Sequence, residues 1–491
     1  MDAAAPPPLT IELEEGSYSY DVYWGEYVYV KVSIRSQGNL VNASDNVTWK
    51  IVFADNESVV PGFDVQKMNL VSLGIYDVNV STYKLYADYT YYLIIDVNTT
   101  QSGGKEYFVD AEGNRYQRPQ PLYITIKVKP RPTKITVTYL TSSIYWDERF
   151  EVRIYFQDAL NDSYIPGALV TLKIEGPTTI QGTFTESGNE YVYVISAFTD
   201  PTGSYTLTIT AEKGNYSTSV YTTTIIVNER PTEVFAPTYV ETPWSPENYN
   251  VTIQYNDSRR SVLVTGATTS YEIYDADTNE FITSGTLIET TDAYIFSIPI
   301  KRLGIGTFVA YISLSKQYYE EKEFSMTIEI VERSTYATTN TTSVEIIWNE
   351  TAWVLVSYYD NEYDPPQKIT DAIATYKVYP FGETTVVYTG ELEKYGNDYL
   401  LTINFTENLS LGDYVINVTL FKQNYTSQSL QIALTVNPIP TTASASSTTI
   451  ELEWGLNVTV KVWWNRTDRT PQEGIPNADN KTYKILFNNT Y

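Results

Sequence analysis

The chain has 491 residues and is acidic, with 59 Asp and Glu against 33 Lys and Arg, a net charge of −26 and a pI near 4.4. That balance argues against nucleic acid and anionic lipid surfaces as partners, because both need clustered Lys and Arg. Cysteine and histidine are both absent, which excludes disulfides, thiolate metal sites, Cys nucleophiles and Ser-His-Asp triads, and leaves carboxylate chemistry.

The length sets an expectation of roughly three to five domains. The 45 tyrosines, with common Thr and Val, are strand-forming composition. No run of 18 or more apolar residues occurs, so no transmembrane helix is expected. The opening "MDAAAPPPLTIELEEG" lacks a basic stretch followed by an apolar run. It reads as a mature or trimmed N-terminus rather than a signal peptide.

Five repeats follow one another. The first begins with "YWGEYVYVKVSI" at Trp24, where Val28, Val30, Val32 and Ile34 share one side. Period 2 with a polar opposite face predicts a half-buried strand. "NASDNVTWKI" at 42–51 and "GIYDVNVSTYKLY" from Gly74 come next, and an insertion at 101–121 splits the last strands. The second repeat has "YWDERFEVRIYF" at Trp146, with Phe150, Val152, Ile154 and Phe156 on one face, then "PGALVTLKI" and "GSYTLTITAEKGNY". The third has Trp244, a face of Tyr249, Val251, Ile253 and Tyr255, "TGATTSYEI" and "GTFVAYISLSKQYY". The fourth has Trp348, Ala352, Val354, Val356 and Tyr358, "TDAIATYKV" and "GDYVINVTLFKQNY". The fifth has Trp454 and a face of Val458, Val460, Val462 and Trp464, and the sequence stops before any closing Gly-x-Tyr hairpin. Two expectations attach to that stop: a fragment of a longer protein, or strands supplied by a neighbouring subunit.

Each Gly-x-aromatic signal is read as the start of a closing hairpin, with Lys84, Lys213, Lys316 or Lys422 ten residues on. The joints "KPRPT", "ERPT", "ERST" and "NPIPTT" are short and mostly proline-bearing, so they predict a semi-rigid rod. The expected domains are 1–130, 131–230, 231–333, 334–438 and an incomplete 439–491.

Units of about 100 residues with roughly seven strand-like runs have the size and pattern of an immunoglobulin-like sandwich. "DPTGSYTL" at 200–207 resembles the start of strand F in immunoglobulin-type domains, whose Tyr forms the tyrosine corner. On that resemblance Tyr76, Tyr205 and Tyr414 take the corner, and Phe308 departs from it. Val78, Leu207, Ala310 and Ile416 stand where those domains carry the second disulfide Cys. The tryptophans precede the second strand rather than sitting in strand C, so the repeats are not antibody-type. The whole chain resembles the tandem Ig-like domains of bacterial adhesins and of archaeal surface-layer or surface-filament proteins. It implies an all-β rod without enzymatic activity that builds or spaces a cell-surface assembly. The alternatives are an adhesin stalk and a spacer for a surface hydrolase. The expected partners are copies of itself or neighbouring surface proteins.

Nineteen of the 31 asparagines begin an N-x-S/T sequon; about six or seven would be expected if Ser and Thr made up roughly a fifth of the chain. They are Asn42, Asn46, Asn56, Asn79, Asn98, Asn161, Asn215, Asn250, Asn256, Asn340, Asn349, Asn404, Asn408, Asn417, Asn424, Asn457, Asn465, Asn480 and Asn488. The excess predicts an N-glycosylated extracellular protein, and the lack of Cys points to an archaeal surface. Acidic loops such as "DADTNE", with Asp275, Asp277 and Asn279, offer oxygens for Ca²⁺ without the full spacing of a calcium loop. The five tryptophans repeat at one structural position, which favours packing over sugar stacking. Outward tyrosines such as Tyr27, Tyr29, Tyr155 and Tyr193 suit contacts between subunits.

Overall fold

The computed structural model describes residues 5–102, 104–453, 455–476 and 482. Among these, regular structure is almost entirely strand, and the only α-helix is the single turn Ile300–Leu303. The chain divides into two compact units, Met1–Pro231 with Gln317–Glu320, and Thr232–Lys316 with Glu321–Tyr491.

In the first unit the repeat around Trp146 shows how the pattern becomes a fold. Phe150–Asp158 alternates buried residues with half-buried or exposed ones along its whole length, as a strand with one face on a core must. It lies between Thr133–Leu140 and Glu190–Ile195, and Thr185–Ser187 completes that sheet. The opposite sheet runs Ser143–Tyr145, Ser219–Asn228, Gly203–Glu212, Leu169–Glu175, Thr179–Thr183. Ser143–Tyr145 pairs parallel with Ser219–Asn228, so the first strand crosses from one sheet to the other. Phe150, Val152, Ile154 and Phe156 meet Leu172, Ile174, Leu207, Ile209, Ile225 and Val227 in one core. Each such side chain contributes roughly 1.5–3 kcal/mol when fully buried. This strand order is the immunoglobulin-like sandwich expected from the sequence.

The first repeat has the same two sheets. A further three-stranded sheet, Thr100–Ser102, Lys105–Val109 and Arg115–Gln117, stands between its last two strands, Thr90–Val97 and Leu122–Lys129. Ile75–Ser81, following Gly74, pairs with Tyr27–Ser36 and not with the final strand. Tyr76 therefore sits on the strand equivalent to Glu190–Ile195, not at the start of strand F. Strand F is Thr90–Val97, with Tyr91 at the corner position, and Lys84 is not at a closing hairpin tip.

In the second unit the repeats around Trp244 and Trp348 follow the same order. Val354, Val356 and Tyr358 are fully buried, as are Ile253 and Tyr255. Tyr249 is 42% exposed, so the third repeat's buried face starts at Val251. The fifth repeat differs from expectation more widely. Among the described residues it forms one sheet of Thr441–Ala445, Val462–Arg466 and Glu473–Gly474. Val458 lies outside any strand, and Val458, Val462 and Trp464 are exposed. No facing sheet among the described residues covers them, so the alternation has no core to bury into.

Candidate functional site at the joints

Each described repeat tryptophan ends its core at the joint. The Trp24, Trp146, Trp244 and Trp348 amides donate to Lys129, Asn228, Val331 and Asn437 carbonyls on the last strand of their own repeats (2.8–2.9 Å). The next residue turns the chain into the following strand. At Gly25, Asp147 and Asn349 it does so with φ of +88°, +60° and +63°, a conformation open mainly to Gly, Asn and Asp.

The residue that reaches across is an arginine. In the first unit Arg131 Nη1 donates to the Trp24 carbonyl at 3.3 Å, and its Nε donates to Asp158. Its main chain is clamped by a hairpin tip: Arg131 N–H donates to Asn215 O (3.0 Å), and Ser217 N–H to Arg131 O (2.9 Å). The same tip puts the Tyr216 ring 5.4 Å from Trp24, edge to face. Arg230, fully buried, repeats the arrangement in this unit. Its Nη1 reaches Trp146 O at 2.9 Å, its N–H donates to Tyr318 O at 2.8 Å, and Tyr318 stacks on Trp146 at 4.9 Å.

In the second unit Arg333 does the same. Nη1 reaches Trp244 O at 3.0 Å, Nε reaches Asp360 Oδ2 at 2.8 Å, and the main chain is held by Asn424 and Thr426. The guanidinium also lies 5.0 Å from the Tyr363 ring and 5.8 Å from Tyr425, close enough for cation–π attraction. Burial alone would lower its pKa; the bond to Asp360 and that charge outweigh it, so the net direction is up. Both side chains of the pair are about 5% exposed. Such a pair gains little over an apolar one, yet fixes one geometry.

Register explains why these residues meet. Thr133 lies opposite Asp158, Thr232 opposite Asp257, and Thr335 opposite Asp360. Arg sits two residues before each Thr, so R-P-T, R-P-T and R-S-T are the sequence marks of the joint. Sequence reasoning took these joints as proline stiffeners and missed the arginine. The hairpin tips share the logic. Asn215, Tyr318 and Asn424 have φ of +68°, +69° and +69°, and the Ser217 and Thr426 hydroxyls accept from Thr133 and Thr335 N–H at 3.1 and 3.0 Å.

Of the corner tyrosines, Tyr205 donates to Pro201 O (2.7 Å) and Tyr414 to Ser410 O (2.8 Å); in the first repeat Tyr91 donates to Tyr86 O (3.1 Å). A second set was missed. Tyr191, Tyr294 and Tyr399 each accept the N–H of the Ala after a small turn residue, Ala168, Ala267 and Ala372 (2.7–3.0 Å). Tyr76 is their counterpart: its buried hydroxyl lies beside the Ala43 and Ser44 main chain but makes no hydrogen bond of full geometry among the described residues.

The sequons are spread over turns and outer faces. Asn42, Asn56 and Asn161 accept the N–H two residues on, forming Asx turns. Asn215 accepts Ala87 N–H, Asn340 accepts Leu355 N–H, and Asn417 accepts the Ser429 hydroxyl. Asn79, Asn98, Asn250, Asn349, Asn404, Asn408 and Asn457 are exposed, and Asn46, Asn256, Asn424 and Asn465 half-buried. Asn480, Asn488 and Trp454 lie outside the described residues. Asp275 accepts from Thr278 N–H, the Thr278 hydroxyl and Asp277 N–H. Those bonds hold its pKa below the usual value, and Asp277 and Asn279 are exposed beside it. Among the described residues no three acidic side chains gather as a metal site. Lys213 donates to Gly167 O, Lys316 to Thr265 O, and Lys422 pairs with Asp371. No helix among the described residues is long and apolar enough to cross a membrane.

No family model and no curated protein matches the chain. Among solved structures it is similar to a tetra-tandem repeat from the extending region of a large adhesion protein. The identity is 10%, the coverage 88% of this chain and 99% of that one, and the TM-score 0.31. A Ca²⁺-stabilised adhesin, described as helping an Antarctic bacterium reach out and bind ice, shares 13% identity over 89% and 100%, with a TM-score of 0.29. An S-layer protein shares 12% over 96% and 59%, with a TM-score of 0.23.

Proposed function

We propose that the chain is a non-catalytic, N-glycosylated cell-surface protein whose tandem sandwiches build or space an extracellular assembly such as a surface layer, filament or stalk. The observation that carries this reading is the joint. Arg131 and Arg333 each bind the tryptophan carbonyl of one sandwich and the aspartate of the next. Tandem sandwiches in need only of a tether would use a flexible linker. A buried, two-sided latch instead supports fixed orientation between neighbours, which suits a spacer or lattice element. Nineteen sequons support an extracellular setting, and their combination with a Cys-free chain supports an archaeal one. The absence of His and Cys supports a non-catalytic role.

Immunogold electron microscopy of native envelopes, combined with glycopeptide mass spectrometry, tests this. Labelled lattices or filaments carrying glycopeptides are the expected result. Scattered single molecules without glycan would overturn the assembly reading. A second reading, an adhesin, is favoured by the extra sheet in the first repeat, which the other described repeats lack.

A further inference from the structure

We propose that the first repeat carries a saccharide-binding pocket on the outer face of the sheet that includes Val47–Phe53 and Thr90–Val97. In the second and fourth repeats that face is open: Ser204 and Thr206, like Asp413 and Thr419, are exposed along strand F. In the first repeat it is covered. Thr48 and Ile94 are each 6% exposed although they point away from the core. Segment 54–65, following Val47–Phe53, walls one side and the end of the 101–121 insertion walls the other, leaving a cavity of about 270 Å³. The sequence carries the mark on one strand: "YYLII" at 91–95 is a continuous apolar run rather than an alternating one, the pattern of a strand covered on both faces.

The lining suits a sugar ring. Ile94 and the half-exposed Tyr123 offer an apolar wall, and Tyr123 is braced edge-on by Tyr92 at 5.8 Å. Arg118 is fixed across Asp96 (2.6 Å) and Glu106 (2.5 Å), so one rim is held in place and carries a net negative charge. Lys50 and Glu57 also line the cavity and make no side-chain hydrogen bond or ion pair among the described residues. A donor and an acceptor without partners, beside an aromatic wall, match the alternating hydroxyls and C–H face of a pyranose. Lys50 and Arg118 face Asp96, Glu57 and Glu106, which leaves the site slightly negative and favours a neutral sugar over a phosphate or uronate. The size is near the lower edge of small-molecule clefts, about 300–1,000 Å³, so one or two rings fit.

Asn98 lines the same cavity and begins a sequon, so the sugar can come from a partner's glycan or from the chain's own. The test is saturation-transfer NMR on the unglycosylated full chain with the methyl glycosides of glucose, galactose, mannose and N-acetylglucosamine. Transfer from at least one is expected, weakened about tenfold or more by Lys50→Ala or Tyr123→Ala, with circular dichroism unchanged. If the glycosylated chain binds no free sugar and Asn98→Gln restores binding, the occupant is the chain's own glycan. No transfer to the folded chain, or transfer indifferent to both variants, overturns the proposal. The joints and the surface role do not enter this experiment, so the two readings stand or fall separately.

Discussion

Replacing Arg333 by Met removes three things at once: the Asp360 bond, the Trp244 bond and the rings' cation. Asp360 is then left as a buried, uncompensated carboxylate. Breaking a buried pair from one side costs about 3–5 kcal/mol. Asp360 still accepts Glu362 N–H at 3.1 Å, which places the expected loss near the lower end, about 3 kcal/mol. Asp360→Asn is gentler, about 1–2 kcal/mol, because Arg333 keeps Trp244 O and two tyrosine rings. In the double variant no charge is left without its partner, so the two losses should fall short of additive by about 1–2 kcal/mol. The Thr426 amide, donating to Arg333 O at 3.0 Å, is the local reporter. Hydrogen exchange there in the full chain should speed up about 100-fold in Arg333→Met, since each 1.4 kcal/mol is tenfold. Arg333→Lys should recover only part of that protection, because an ammonium cannot span both acceptors in the planar fork geometry. A change under about threefold in Arg333→Met, or strict additivity in the double variant, refutes the latch.

Three further outcomes can be checked on the same protein. Tyr205→Phe and Tyr414→Phe each remove a part-buried hydrogen bond and should lower stability by about 1 kcal/mol in calorimetry, whereas Tyr76→Phe, whose hydroxyl makes no bond of full geometry, should cost less than about 0.5 kcal/mol. Asn424→Gly should leave the joint intact, while Asn424→Ala at φ +69° should cost about 1 kcal/mol, read as faster Thr426 exchange. Asp110 accepts from Glu112, Asn114 and Tyr116. Burial opposes its ionisation, and these bonds outweigh that and hold its pKa below the usual value. Its contribution is therefore complete above the unfolded Asp value of about 3.9 and is lost as pH falls through the lower folded value. Pepsin should begin to cut the 105–117 segment only at the acid end of that window in the wild type, and at higher pH in Asp110→Asn; equal cutting of both would sink the assignment.

The fold was legible where one strand face had a core to meet. Val28 to Ile34 and Phe150 to Phe156 were read correctly because period 2 is imposed by the pleat itself. The Gly74 assignment failed for a local reason. The second, third and fourth repeats each have two strands that open on a small or polar residue followed by an aromatic and alternation: "NEYVYV", "DAYIFSI" and "NDYLLTI" precede the closing strands. "GIYDVNV" belongs to that earlier set, whereas the true strand F, Thr90–Val97, opens on "ADYTY" without a glycine, and the 101–121 insertion separates it from its hairpin partner Leu122–Lys129. The fifth repeat failed for the opposite reason. Its alternation is as clean as the others, but alternation reports a preference for burial and cannot supply the facing sheet.

The joint was invisible to periodicity because its partners are far apart in sequence. Arg131 and Asp158 are 27 residues apart, as are Arg333 and Asp360, and the sequence repeats that spacing with Arg230 and Asp257. The repeats supply their own control. In the fifth, Thr441 pairs with Arg466, so Arg466 holds the aspartate position, and the arginine position two residues before Thr441 is Ile439. In the first, Ser36 closes the inward row and bonds Pro8 O at 2.8 Å, with prolines where the arginine would stand. Arg and Asp are thus present together three times and absent together twice. Aspartate kept without arginine would be a buried charge lacking a counter-ion, destabilising by several kcal/mol. Arginine alone could still bind the tryptophan carbonyl, so an arginine serving only its own carbonyl need not vanish with the aspartate. The joint disappearance in the fifth repeat is what a pair acting as one device requires.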